Sequence, residues 1–400
     1  MDTSNNFYLG CAQKLKSLPT VALMPTGRTG SDYLQGLLEN HPQVLTFNGH
    51  FAIYQEFFEQ ARSTYDVIDS AIDVVDEFIG LFLYKLVSRY DVQEGKDRLG
   101  EEHNESFVVD TALFREHFVG LMDFLPLNRR GVVLAIYGAY HIALNRSLEA
   151  AKVLLHHPHL EYELRKFITD FPDTKVLYTI RDIRPSLYSQ ITNFKRYYPD
   201  EHDCQSHFTE ALKMNLEGPN NVQDLQVPTM SIRLEDLPRI DVLVLLSEWL
   251  GIEFMDSMLL PTWAGLSWNG DRLSAKVPSN SWSKDRTNNN WQSELSLRDR
   301  WFLKCLVGRN LHSCGYIEKC PRKVQLVIAV VNALFPMAME WHYLNPKYVW
   351  SRLIMNRNGM IQVLETPLFY TRRVKICVMS LKNEILSKDV SFPLIRVPQR

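Results

Sequence analysis

The sequence predicts an α/β protein, a parallel β-sheet flanked by helices, with a mainly helical appendage at its C-terminal end. Three observations carry that prediction. Short apolar, partly β-branched runs recur at residues 20–24, 132–136, 175–180 and 229–233. Between them lie stretches whose apolar residues follow helical spacing, the alternation expected of a parallel sheet with helical crossovers. Beyond Cys320 the character changes. Residues 324–339 are strongly apolar, broken by Gln325, Asn332 and Pro336, and basic and aromatic residues follow at His342, Tyr343, Lys347, Tyr348, Trp350 and Arg352. Residues 1–320 are therefore expected to form the main domain and 321–400 the appendage.

The elements follow in order. A strand at 20–24 runs into Pro25-Thr26-Gly27-Arg28-Thr29-Gly30-Ser31 and then a helix. Leu34, Leu37 and Leu38 give that helix an apolar face, and it stops near His41-Pro42 because proline disfavours helical geometry in the residue before it. Residues 54–89 carry helical spacing, and 132–136 read as a second strand. Residues 147–170 read as helical, broken by a solvated turn at His156-His157-Pro158-His159. The β-branched and aromatic run 175–180 reads as a buried strand ending at Arg181-Asp182. Pro185 suits the first turn of a helix running through Ser189 to about Lys195. Residues 229–233 repeat the strand pattern, and 240–250 form a helix ended by Gly251. Residues 268–291 read as a long polar loop and 296–311 as a further helix.

Composition limits the function. Of 400 residues, 46% are apolar and 22% charged, a globular balance that excludes a wholly disordered chain. Lys and Arg number 44 against 46 Asp and Glu, a formal charge of −2, which gives no general attraction to nucleic acid. Any anion must be held by local geometry. Six cysteines without a CxxC pair read as reduced thiols. The start at Met1 shows no basic region followed by an apolar run, and no stretch reaches the ~18 apolar residues of a spanning helix. These features set the expectation of a cytoplasmic protein.

Two motifs carry chemistry. A loop between strand and helix presents backbone N–H groups and the positive end of a helix dipole, a ready anion site. Gly27 and Gly30 allow close approach, Arg28 adds charge, and Thr29 and Ser31 add hydroxyls. The loop lacks the lysine of a Walker A sequence, Gly-x-x-x-x-Gly-Lys-Ser/Thr. The second motif is Arg181 at a strand's carboxyl end with Ser189 eight residues on, where an open α/β sheet gathers ligands. The alternative at that point is a structural pairing of Arg181 with Asp182.

Together the motifs resemble the PAPS-dependent sulfotransferase family, in its bacterial and carbohydrate-type members; PAPS is 3′-phosphoadenosine 5′-phosphosulfate. Leu37-Leu38-Glu39-Asn40-His41-Pro42, Phe171-Pro172-Asp173-Thr174-Lys175, Arg233-Leu234-Glu235-Asp236-Leu237 and Trp268-Asn269-Gly270-Asp271-Arg272-Leu273-Ser274 extend the likeness over residues 18–318. The resemblance implies that Arg28, Thr29, Gly30 and Ser31 form a P-loop-like 5′-phosphosulfate loop, that Arg181 and Ser189 hold the 3′-phosphate, and that Arg272 lies in a loop closing over the cofactor. It implies PAPS as sulfuryl donor, no metal, no nucleic acid, and a hydroxyl acceptor that is a glycan, glycolipid or small-molecule alcohol. Two departures stand out. Position 28 is Arg where many members have Lys. Asp32 falls where a hydroxyl residue is frequent, and an acid beside a phosphosulfate is unfavourable unless it faces away or caps the helix.

A base must accept the acceptor's proton. His50 is the first candidate, Glu56 the second, with His141 and Asp110 behind them. A histidine base predicts a rate that falls as pH drops through roughly 6–7. Two other classes stay open, a P-loop kinase or ATPase and a non-catalytic nucleotide-binding relative. The tail reads either as a helical cap or as a membrane-interface segment over 324–352. The second reading suits a lipid-linked acceptor and a place at the inner membrane surface.

Overall fold

The computed structural model describes residues 3–59, 70–87, 96–197, 205–268, 291–355, 357–386 and 393–395. Five parallel strands make the central sheet: β1 (Thr20–Pro25), β2 (Val44–Thr46), β3 (Val153–His156), β4 (Lys175–Ile180) and β5 (Thr229–Arg233). Their order across the sheet is β2-β3-β1-β4-β5. Val21 lies opposite Leu155 of β3, Leu23 opposite Leu177 of β4, and Thr179 opposite Ile232 of β5. β1 is buried along its whole length, which is why it reads as an unbroken apolar run rather than an alternating one.

Helices α1 (Thr3–Ser17), α2 (Ser31–Glu39), α3 (Ala71–Phe82), α4 (Thr111–Met122), α5 (Arg129–Ala143), α6 (Glu161–Asp170), α7 (Ile183–Tyr197), α8 (Gln205–Asp224) and α9 (Ile240–Leu250) flank the sheet. A short π-helical turn, Tyr54–Phe58, precedes α3. An aromatic cluster fills the layer between β2 and these helices. Phe51 stands edge-on to Phe78 and Phe82, and Phe78 stacks on Phe114 at 5.7 Å.

The structure exchanges two sequence expectations. Residues 132–136 are not a strand but the middle of α5, which is buried from Gly131 to His141. A run buried on every side carries no period. Its length and its N-cap decide, and Asn128 accepts from the Gly131 N–H at 3.0 Å. Two strands lie outside the expected ones: β2, three residues long, and β3, four residues long inside a stretch expected to be helical. His156 and His157 are consequently fully buried and do not form a solvated turn.

Beyond the sheet, α10 (Leu297–Leu306), α11 (Lys323–Ala333), α12 (Pro346–Met355) and α13 (Arg357–Ile385) complete the helical part. Leu326 and Ala329 of α11 and Cys377 and Leu381 of α13 share one buried cluster with Ile183 and Leu187 of α7 and Phe208 of α8. The C-terminal region is thus a helical cap packed on the main domain. A buried ion pair ties the cap's own segments together. Arg373 Nε lies 3.0 Å from Glu340 Oε2, and the guanidinium also donates to the carbonyls of Ala333 and Phe335 at the end of α11. Residues 393–395 return to β5, where Ser231 N–H donates to Pro393 O and Ile395 N–H to Ser231 O. That contact covers an otherwise open sheet edge.

Candidate functional site

From β1 the chain passes outward to β2, returns to β3 beside β1, and then crosses to β4 on the other side. The direction reverses at β1. Ligands of open parallel sheets gather at the carboxyl ends of the strands flanking such a reversal. Both predicted motifs lie there.

After Pro25 the chain bends through Gly27 (φ 115°) and Gly30 (φ 84°) before α2 begins at Ser31. Both conformations favour glycine. A side chain at Gly30 would also collide with Leu234, and a β-carbon at Gly27 would stand 2.9 Å from Ser186 Oγ. The hydroxyl of Thr29 meets that of Thr179, at the end of β4, at 2.8 Å and ties the loop to the neighbouring strand. Arg28 lies half-buried. Asn193 of α7, with its amide oxygen turned to the guanidinium, accepts from Arg28 Nη2 and Nε at 2.8 and 2.9 Å.

Helix α7 therefore faces the loop. Ser186, Ser189 and Asn193 share one side of it at helical spacing. Ser189 is half-buried, while Ser186 is fully buried and its Oγ has no hydrogen-bond partner among the described residues. Sequence spacing selects Ser189 and passes over Ser186, although the same helical period marks it one turn earlier.

Arg181 is buried at the end of β4. It lines a crevice with Thr26, Asn215, Asn310, Cys314 and Tyr316. Asp182 turns away to Arg184, which it grips through both carboxylate oxygens. Glu235 Oε1 lies 3.9 Å from Arg181 Nε, and Glu235 also accepts from Tyr316 Oη at 2.8 Å. Burial lowers the pKa of Arg181, Glu235 opposes the shift, and the charge of Arg28 adds to it. The two arginines act on one another across the switch point.

The other flank is built from histidines. His50 follows β2, and His159 follows β3. Their rings stack at 4.4 Å and 15°, and His157 stands edge-on to His159 at 5.0 Å. Gln35 of α2 fixes the state of His157. Its amide nitrogen donates to Thr46 Oγ1 and Phe47 O at 3.0 and 2.6 Å, so its oxygen faces His157 Nδ1 at 2.8 Å as an acceptor. His157 Nδ1 must then carry the proton, leaving Nε2 a bare acceptor in the neutral ring. Burial pushes His157 well below the usual histidine pKa, helped by the charges of His159 and Lys96. The same holds for His50, where burial comes first, then His159 and Lys85. A fall in rate through pH 6–7, the mark of a histidine base with an ordinary pKa, is therefore not what a His50 base would give.

Two buried lysines complete this flank. Lys85 Nζ donates to the His50 carbonyl at 2.5 Å. Lys96 Nζ lies over the Trp263 ring at 4.2 Å and 3.7 Å from Asp32 Oδ1. The Asp32 departure resolves here, because the carboxylate turns to Lys96 and caps no helix. Burial raises its pKa, but Lys96, His159, Arg28 and Lys85 outweigh that and hold it below the usual range.

The remaining base candidates stand elsewhere. Glu56 accepts from Tyr84 Oη at 3.4 Å in the helical layer. Asp110 caps α4 through Ala112 and Leu113 N–H. His141 is fixed against the Thr46 backbone, and burial and Arg146 bring its pKa down to about 3. Arg272 lies outside the described residues. Among the described residues no three or more His, Cys, Asp or Glu side chains are grouped to hold a metal ion. No protein-family model matches the chain, and no curated protein matches it significantly.

Proposed function

We propose that the protein is a PAPS-dependent sulfotransferase that moves the sulfuryl group to a hydroxyl of a glycan, glycolipid or small-molecule alcohol. One observation carries the reading. Two arginines stand at the carboxyl ends of the adjacent strands β1 and β4, one in a glycine-bent loop opening a helix, the other lining a polar crevice that Thr26 of the loop also borders. That arrangement suits a nucleotide with two separated phosphate groups better than a linear triphosphate. The buried, unpaired Ser186 hydroxyl beside Gly27 and the crevice polar groups Thr26, Asn215 and Asn310 fit such a ligand.

When bound, PAPS would supply an activated sulfuryl group on a phosphate leaving group. The chain's part is position and charge. Loop N–H groups and the α2 dipole would hold the phosphosulfate. Arg28, aimed by Asn193, would stabilise charge gathering on the leaving oxygen. Arg181, with Ser189, would hold the 3′-phosphate. His50, neutral in the fold, would take the acceptor's proton, with His157 and His159 packed behind it.

Calorimetric titration tests this reading. Adenosine 3′,5′-bisphosphate should bind more tightly than ADP or ATP. Equal or tighter binding of ATP would sink the assignment and favour phosphoryl transfer.

A further inference from the structure

The inner face of α11 is satisfied: Leu326, Ala329 and Ala333 are buried against the cap. Its outer face is apolar as well. Val324, Val327, Ile328, Val331, Leu334 and Phe335 recur at i, i+3, i+4 and i+7 and are all exposed, Val324 by 71% and Phe335 by 55%. No charged residue interrupts the sequence from Val324 to Met339. Exposed Trp341 and Trp350 follow on the next turns, Trp350 at 67%. A soluble surface does not ordinarily leave such a stripe uncovered.

Charge identifies what covers it. Residues 321–400 hold 12 Lys and Arg against 4 Asp and Glu, a net +8 within a chain whose total is −2. Arg322 and Lys323 at the start of α11, with Lys319 before it and Lys347 after it in sequence, are exposed. A second copy of the chain would bring one +8 region against another. An anionic bilayer surface supplies both complements, an acyl layer for the stripe and negative headgroups for its flanks. Exposed tryptophans suit the headgroup boundary. Among the described residues no helix is long and apolar enough to cross a membrane, so this contact lies in the interface plane. We infer that the C-terminal cap docks on an anionic lipid surface through the outer face of α11. The inference is independent of sulfuryl transfer.

Flotation of the full chain with lipid vesicles tests it. The protein should float with vesicles of phosphatidylcholine containing one-third phosphatidylglycerol, should not float with pure phosphatidylcholine, and should be released by high salt. Val327→Glu and Val331→Glu should abolish flotation without changing the melting temperature, because both positions are exposed. Should either variant melt early, Val331→Ser replaces it and should weaken binding. Removing Arg322, Lys323 and Lys347 together as glutamines should weaken partition roughly 100-fold. Wild-type protein that floats with neither vesicle overturns the inference. So does a dimer in light scattering that Val331→Glu dissolves, since the face would then belong to a second copy.

Discussion

The two flanks of β1 meet at the carboxyl ends of the strands and differ in their titratable groups. On the β4 side stand Arg28 and Arg181, permanently charged, one in a loop and one in a crevice. On the β2–β3 side stand His50 and His157, whose pKa values burial and nearby cations lower, with the His159 ring packed against both. A guanidinium cannot give up its proton at physiological pH, so the first flank suits the grip of anions. A neutral imidazole accepts a proton, so the second suits chemistry on a hydroxyl. Under the proposed function, the carboxyl ends of the strands would divide between binding charge and moving protons.

The largest expected effect lies on the histidine flank. His50→Ala should lower kcat about 10²- to 10⁴-fold while leaving bisphosphate affinity unchanged. If the rate loss appears instead in His157→Ala, the bare Nε2 of that ring is the proton acceptor. Glu56→Gln should change little, and a collapse there would move the base off this flank. Next comes Arg28→Ala, expected to cost about 10²- to 10³-fold in kcat, the scale of one lost transition-state donor. Arg181→Ala should weaken bisphosphate binding roughly 10- to 150-fold, the loss of one charge-assisted hydrogen bond. At saturating donor its kcat should hold. A wild-type affinity would move the 3′-phosphate away from β4.

Acid stability separates the flanks in another way. His141 and His156 have folded pKa values of about 3, set first by burial, against about 6.5 in the unfolded chain. The depressed values favour the unfolded state only where its histidines protonate and the folded ones do not. Stability is therefore full above pH 6.5 and falls as pH drops below it, by about 2 kcal/mol per such histidine at pH 5. Denaturant midpoints measured at pH 7.5 and pH 5 should show the fall, and His141→Gln should reduce it. A pH-independent midpoint would mean that these rings take up protons in the fold as readily as in the unfolded chain. Smallest is Asn193→Ala, about tenfold in kcat, because Arg28 keeps its charge and loses only its aim.

Much of the arginine flank was legible in the sequence because its signals are local. Two glycines, a proline-ended helix and a strand followed by Arg181 each act within a few residues. The histidine flank was not. His50 and His157 lie more than a hundred residues apart, and only the pairing of β2 with β3 brings them together. The misplaced strand had the same root. Residues 132–136 and 153–156 are both short apolar runs, and burial on all sides erases the period that tells helix from strand.

The sequence by itself determined the loop after β1, the strands β4 and β5, the helix ended by Gly251 and the helical character of the cap, because backbone preference and binary pattern settle such elements locally. Tertiary structure alone decided that β3 lies between β2 and β1, that Asp32 turns to Lys96, that Asp182 takes Arg184 rather than Arg181, and that His50 and His157 both pack against His159. Those outcomes depend on which distant groups share a buried space. There the partner of a charge or a ring is set by geometry and desolvation, not by its neighbours in the chain.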